Sequence, residues 1–188
     1  MKEIILGSAS VRRQELLTKM GVKFKVVVSK VDENIGIKNP LKYVSKLAYL
    51  KGIDVLNRNS ESVVLAADTI VELKGEILGK PKDERDAFSM LRKLSGNTHT
   101  VITAVFIGDK DSYVLFHSKT LVKVNTLTDS EIAIYLRSED VFDKAGSYAI
   151  QGAFGKHISF IKGDYYNVVG LPLAIVYEAL KARGIINV

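Results

Sequence analysis

The chain has no cysteine among its 188 residues. That excludes disulfides, zinc-thiolate centres and cysteine nucleophiles, and it fits a cytoplasmic address. Histidine is scarce as well: His99, His117 and His157 are the full set of 3, scattered over strand-like segments. No spacing makes a metal site of them, and no serine-histidine-acid set is present. No apolar run approaches the ~18 residues of a membrane span, and Met1–Gly7 carries an acidic residue at position 3, so neither a membrane segment nor a signal peptide is expected. Low-complexity tracts, internal repeats and linkers are missing too, so residues 1–188 are expected to form one two-lobed unit without a linker. What is present is 47% hydrophobic and 26% charged, the balance of a globular protein with a sizeable core. A formal charge of +6 and a pI near 9.3 suit an anionic partner, nucleotide or nucleic acid.

Strand and helix signals alternate, which indicates a mixed α/β fold. Residues 3–7 and 23–29 read as strands, and Val11–Met20 as a helix with Ser10 as N-cap and Gly21 as its left-handed stop. Asn39-Pro40 opens a helix to about Leu56. Val63–Ala67 and Ile70–Leu73 read as strands, with a Lys74-Gly75 turn into Glu76–Leu78. Asp83 caps a helix ending at Gly96. Thr100–Ile107 and Ser112–Val124 form a hairpin around Gly108–Asp111. Thr128-Asp129-Ser130-Glu131 is a capping box for a helix to about Ser138. Two short strands, near 157–161 and 165–169, precede a last helix starting at Pro172.

Several segments carry polar groups that folding alone does not require. Leu65-Ala66-Ala67-Asp68-Thr69-Ile70-Val71 is an apolar strand interrupted by one carboxylate, which is costly to bury unless paired, hydrogen-bonded or metal-bound. Gly79-Lys80-Pro81 follows a dozen residues on. It is not a Walker A loop, because three residues rather than four stand between Gly75 and Gly79 and Pro81 replaces the required Ser/Thr. Lys80 remains a point charge for a phosphate. In Gly7-Ser8-Ala9-Ser10-Val11-Arg12-Arg13 a strand end meets a helix start, where free N–H groups and the dipole attract anions. A capped surface helix with two solvated arginines explains the same residues.

Within the helix from Pro40, Leu41, Val44, Leu47, Ala48 and Val55 make one apolar stripe, and Lys51 falls in its middle. Such a lysine either snorkels to an edge or meets a buried anion, and a phosphate ligand accounts for the intrusion with less strain. Glu33, just after a strand, is by itself an exposed loop acid. Gln151, in the glycine-bounded stretch 143–152, offers one acceptor and two donors, enough to read the edge of a small base or simply to satisfy the backbone.

Taken in order, Ser8–Leu17, Val31-Asp32-Glu33, Leu47-Ala48 with Lys51, Ala67–Val71, Gly79-Lys80-Pro81, Leu94-Ser95-Gly96 with His99, Asp143-Lys144-Ala145-Gly146, Ile150-Gln151-Gly152 and Val169-Gly170-Leu171-Pro172 resemble the Maf family of nucleoside triphosphate pyrophosphatases. Thr69 and Ile150-Gln151-Gly152 resemble the branch that acts on dTTP and UTP. Three positions depart from the family pattern: Val11 for proline, Gly52 for alanine and Val141 for proline.

The resemblance implies an α/β, two-lobed Maf/inosine-triphosphatase-like fold, with a long twisted mixed sheet flanked by helices and a cleft between lobes. It implies hydrolysis of a nucleoside triphosphate to the monophosphate and pyrophosphate, clearing excess or modified pyrimidine nucleotides from the pool. A divalent cation, Mg²⁺ with Mn²⁺ as the alternative, is expected at Glu33 with Asp68 nearby. Asp68 is expected to activate water, and Ser8, Arg12, Arg13, Lys51 and Lys80 to neutralise the phosphates. Thr69, Gln151 and Arg12 are expected to select the base. A homodimer is implied, with no nucleic-acid or membrane partner. The competing readings are a nucleotide-binding regulator of cell division without turnover and a nucleic-acid binder, although the chain lacks the basic-aromatic stripe of the latter.

Overall fold

The computed structural model describes residues 3–186. Its strands are β1 (Ile4–Leu6), β2 (Phe24–Val26), β3 (Val63–Leu73), β4 (Glu76–Leu78), β5 (Thr98–Gly108), β6 (Tyr113–Val124) and β7 (Ile158–Lys162). The helices are α1 (Val11–Lys19), α2 (Pro40–Arg58), α3 (Glu84–Leu94), α4 (Asp129–Ser138), α5 (Tyr165–Val169) and α6 (Leu173–Ala182). The strands form a mixed seven-stranded sheet in the order β2-β1-β3-β5-β6-β7, with β4 paired to β3. Two compact units divide the chain: one holds the residues up to Asp68, Thr103–Ser118 and those from Gly170 on; the other holds Thr69–Ile102 and Lys119–Val169.

In the first unit, β1 pairs in parallel with β2 and with β3, Ile4 opposite Val63 and Leu6 opposite Leu65. β1 and the first part of β3 are apolar and buried because parallel pairing covers both faces, whereas β2, at the sheet edge, is largely exposed. Helix α2 starts as the Asn39-Pro40 pair indicates: the Asn39 side chain accepts from Lys42 N at 3.0 Å. Val55 and Leu56 of α2 pack on Ile5, Val64, Ala66 and Phe106. Gly52 is required by that contact, since a Cβ there would stand 2.3 Å from the Phe106 ring. The family departure at Gly52 is thus a local fit of helix to ring.

In the second unit, β3 turns back into β4 through Lys74 and Gly75, both at positive φ. Ala87, Met90, Leu91 and Leu94 of α3 face a core of Val71, Leu73, Leu78, Val101, Val122 and Val124, closed by Ile132 and Tyr135 of α4. Asp83 accepts from Asp86 N, and Thr128 and Glu131 complete the capping box. Val141, the third departure, is buried in this core.

Two expectations are corrected. Residues 63–73 are one strand with Asp68 inside it, its carboxylate accepting from Lys51 Nζ at 2.6 Å. Residues 165–169 are a short helix. Asp164 caps it by accepting from Tyr166 N at 2.8 Å, and the buried Asn167 Nδ2 donates to Val101 O and Thr120 Oγ1 at 3.1 and 2.9 Å. The Tyr-rich propensity for strand yields to these tertiary hydrogen bonds. Among the described residues no helix is long and apolar enough to cross a membrane.

Candidate active site

In the first unit the end of β1, the start of α1, the loop after β2, the middle of α2 and residue 68 of β3 gather five of the expected residues into two bonded groups, Ser8 with Arg13 and Lys51 with Glu33 and Asp68, coupled through the charge of Arg13. Ser8 is buried. Its Oγ accepts from Ser10 N at 3.2 Å and from Arg13 Nη1 at 3.0 Å, while Arg13 Nε donates to Gly170 O at 2.9 Å. Arg13 is therefore positioned from both ends. It is not a solvated surface arginine. Desolvation lowers its guanidinium from the ordinary range, and the nearby Asp68 and Glu33 carboxylates oppose that shift. Arg12, next on α1, is half-buried.

Lys51 settles the question its sequence position raises. Its side chain is only 13% exposed, and its Nζ donates to Glu33 Oε1 at 2.8 Å and to Asp68 Oδ1 at 2.6 Å. The intrusion into the apolar stripe, where Val44, Leu47, Ala48 and Val55 are buried as the periodicity indicates and Leu41 is half-buried, is thus answered by two of the protein's own carboxylates. Asp68 is 7% exposed and Glu33's side chain 44%. A buried aspartate, a partly exposed glutamate and a shared ammonium, with an arginine close enough to feel both acids, form a charged nest at one place. Such a cluster is expensive to build for stability alone, because desolvating ions offsets most of the attraction between them.

Sequence reading missed one member. Tyr43 Oη donates to the Glu33 carbonyl at 3.0 Å, and burial, with Asp68 next and then Glu33 and Asp32, raises its hydroxyl above the ordinary range. The signal was available in the spacing: Tyr43, Leu47 and Lys51 lie at successive four-residue steps on one helix face.

The remaining expected residues lie in the second unit. Thr69 is half-buried in β3, Lys80 is exposed in the link between β4 and α3, and Gln151 is exposed in the turn before a short 3-10 segment, Ala153–His157. The Gln151 turn is held firmly. Tyr135 Oη accepts from Ala149 N at 3.2 Å, Glu139 Oε1 accepts from Ala153 N, and the Gly79 carbonyl accepts from Gly146 N at 3.0 Å. Gly146 is a position where only glycine fits, with φ +69° and a Cβ site 2.9 Å from Val71.

A model of Maf-like proteins matches residues 3–183. The chain belongs to the Maf family. Curated relatives extend this: a protein of Thermosipho africanus named dTTP/UTP pyrophosphatase is 47% identical over 98% of this chain and 95% of its own length. A Bacillus cereus protein of the same name is 48% identical over 96% of this chain and 90% of its own. Among solved structures, the Ham1 protein of Staphylococcus aureus superposes with a TM-score of 0.53 over 97% of this chain and 100% of that one, at 11% identity. That similarity is one of fold. The Maf chain therefore carries the Ham1-like α/β architecture with the charged nest of Glu33, Lys51 and Asp68 built into its first unit.

A cation fits this nest only in one mode. Among the described residues no group of three or more His, Asp or Glu could hold a metal. Two carboxylates are present, however, and Mg²⁺ commonly takes one or two carboxylates plus substrate phosphates, keeping waters for the rest. The donors are hard oxygens, and the shared ammonium already marks a point where positive charge sits between them.

Proposed function

We propose that the protein hydrolyses dTTP and UTP, and modified pyrimidine triphosphates of the same edge, to the monophosphate and pyrophosphate, as one domain of 1–188. The observation that carries the reading is the contact of Lys51 with both Glu33 and Asp68 beside Arg13. A binding protein needs cations for phosphates; it does not need a buried carboxylate among them.

In this reading Asp68 is the base. Lys51 takes Oδ1, and Oδ2 orients a water and receives its proton as the water oxygen bonds to the α-phosphorus and the bond to the β-phosphate bridging oxygen breaks. Arg13, fixed by Ser8 and Gly170, meets the triphosphate with a rigid fork, and Arg12 and Lys80 add charge against the leaving pyrophosphate. With a cation on Glu33 and Asp68, Lys51 would be free to donate to the phosphates as well. Mg²⁺, or Mn²⁺, held by those two carboxylates would supply charge neutralisation of the phosphates. Thr69, Gln151 and Arg12 select the base, and the enzyme works as a cytoplasmic homodimer.

The test is turnover in ¹⁸O-labelled water with a panel of nucleoside triphosphates and Mg²⁺. The expected result is unlabelled pyrophosphate and one ¹⁸O in the monophosphate, with dTTP and UTP ahead of CTP. Orthophosphate as product, or label in the pyrophosphate, places attack at another phosphorus and ends the assignment. No turnover with tight nucleotide binding would favour the regulator without catalysis.

A further inference from the structure

We propose that Tyr43 is a positioning residue for the cation site: its hydroxyl holds the main chain of the Glu33 loop so that the Glu33 carboxylate stays aimed at Asp68 when Lys51 turns to the phosphates. The proposal rests on the reading that Glu33 and Asp68 carry the cation.

Glu33 lies between β2 and α2 in a stretch, residues 27–39, without helix or strand. A carboxylate on such a segment binds a cation well only if the segment is already ordered, since fixing one backbone residue costs about 1–2 kcal/mol. The segment is organised locally by Asn34 N donating to Asp32 Oδ1 at 2.9 Å and Ile35 N to the Glu33 carbonyl at 3.1 Å. To the helix it is tied near its start by Arg58 Nη2 donating to the Val28 carbonyl at 3.1 Å and Lys30 N donating to Asp54 Oδ2 at 2.9 Å, and at Glu33 itself by two further bonds. Lys51 holds the Glu33 carboxylate at 2.8 Å, and Tyr43 holds the Glu33 carbonyl at 3.0 Å. Both donors stand on one face of α2, a 19-residue helix whose Val44, Leu47 and Ala48 are buried between them.

The two ties differ in what they survive. The Lys51 tie is ionic and competes with any cation brought to Glu33. The Tyr43 tie is made to a carbonyl, so neither the charge on the carboxylate nor the arrival of a cation weakens it. A hydroxyl suits this place, because it donates to the Glu33 carbonyl at 3.0 Å without bringing a charge to the carboxylates. Tyr43 thus lets Lys51 exchange partners without loss of the loop.

The experiment uses Tyr43→Phe, which keeps the ring and removes the hydroxyl. Mn²⁺ affinity is measured by electron paramagnetic resonance on the full protein with α,β-imido-UTP, a nucleotide that cannot be cleaved at the bond in question. In parallel the Mg²⁺ activation curve is measured with UTP. Expected is a weakening of Mn²⁺ by about 3- to 10-fold, the range one net hydrogen bond spans. The Mg²⁺ for half-activation should shift equally, with kcat recovered within about twofold at saturating Mg²⁺. Unchanged Mn²⁺ affinity overturns the proposal, as does a loss of kcat that no Mg²⁺ concentration restores. Glu33→Gln, run alongside, separates the layers: if it leaves Mn²⁺ affinity intact, the cation reading fails and this proposal with it. If it weakens Mn²⁺ while Tyr43→Phe does not, only the role of Tyr43 fails.

Discussion

The two compact units differ in how they keep polar groups inside. The first buries charge: Asp68 lies almost wholly inside, with the ammonium of Lys51 and the guanidinium of Arg13 next to it. The second buries mostly neutral polarity, apart from the Lys144 ammonium, 13% exposed and paired with the exposed Asp143. His99 is 1% exposed with Nε2 at 2.7 Å from the Tyr148 hydroxyl, and Asn167 spans to Val101 and Thr120. Charge that is costly to desolvate persists where it has chemistry to do, and neutral hydrogen bonds suffice where the task is to hold shape. If this division is right, substitutions in the first unit should act on rate or metal response more than on shape, and those in the second on acid stability or on which base is accepted.

The largest effect is expected at Asp68. Asp68→Asn keeps the side-chain size but cannot take the proton of the attacking water, so the rate should fall on the order of 10²- to 10⁴-fold while nucleotide binding and the circular dichroism spectrum persist. A variant keeping more than about a third of the rate would remove Asp68 from the role of base, since general-base loss is worth far more than that.

Lys51→Met comes next. From the apolar stripe alone a thioether should suit the helix at least as well as a lysine, yet the contacts with Glu33 and Asp68 reverse that expectation for stability. Methionine leaves two carboxylates without their shared ammonium, and breaking a buried pair from one side is destabilising. Expected are a fall in kcat/KM on the order of 10²-fold, as when a donor to developing charge is lost, and a lower Tm that Mg²⁺ raises more than it raises that of the wild type. Equal Mg²⁺ response in both proteins would show that the two carboxylates do not share a cation.

In the second unit, acid should act through His99. Burial depresses its imidazole to about 4 from the ordinary 6.5, and its Nδ1 has no hydrogen-bond partner to welcome a proton. The unfolded chain therefore takes up this proton at higher pH than the folded one. The neutral ring's contribution is fully present above about pH 6.5 and is lost as pH falls toward 4, up to about 3 kcal/mol. Urea unfolding from pH 7 to pH 4 should show this decline, and His99→Gln should flatten it. A decline that persists unchanged in His99→Gln would assign the acid sensitivity to other groups.

How far the sequence reveals this molecule depends on whether a feature is local. Caps and turns are legible because Asn39, Asp83, Thr128 and Gly75 act on neighbours a few residues away. Lys51 and Asp68 are legible as residues whose polarity has no local explanation, whereas Ser8, Arg13 and Glu33 have one, as a capped helix and a loop acid, and are marked by the family resemblance. Their pairing is not legible. Lys51 suggests an anion, but nothing within the helix says that the anion is Glu33 and Asp68, 18 and 17 positions away. The helix at 165–169 was hidden for the same reason: Asn167 is anchored to Val101, 66 residues earlier.

The smallest expected effect is the most specific, and it lies wholly in the second unit. Thymine and uracil present an N3–H donor between two carbonyl acceptors, which the amide of Gln151 can match with an acceptor and a donor. Cytosine offers an unprotonated N3 and an amino donor, so the mismatch should cost about 1–3 kcal/mol, or about 5- to 150-fold. The Gln151 turn is fixed by Tyr135, through Ala149 N, and by Glu139, through Ala153 N, so removing the amide should leave the turn in place. Gln151→Ala should then lower kcat/KM for dTTP and UTP far more than for CTP. Lys80→Ala, which removes only a point charge, should depress all three together. Equal losses across the pyrimidines in Gln151→Ala would mean that this amide does not read the base, and selectivity would have to come from Thr69 or Arg12 instead.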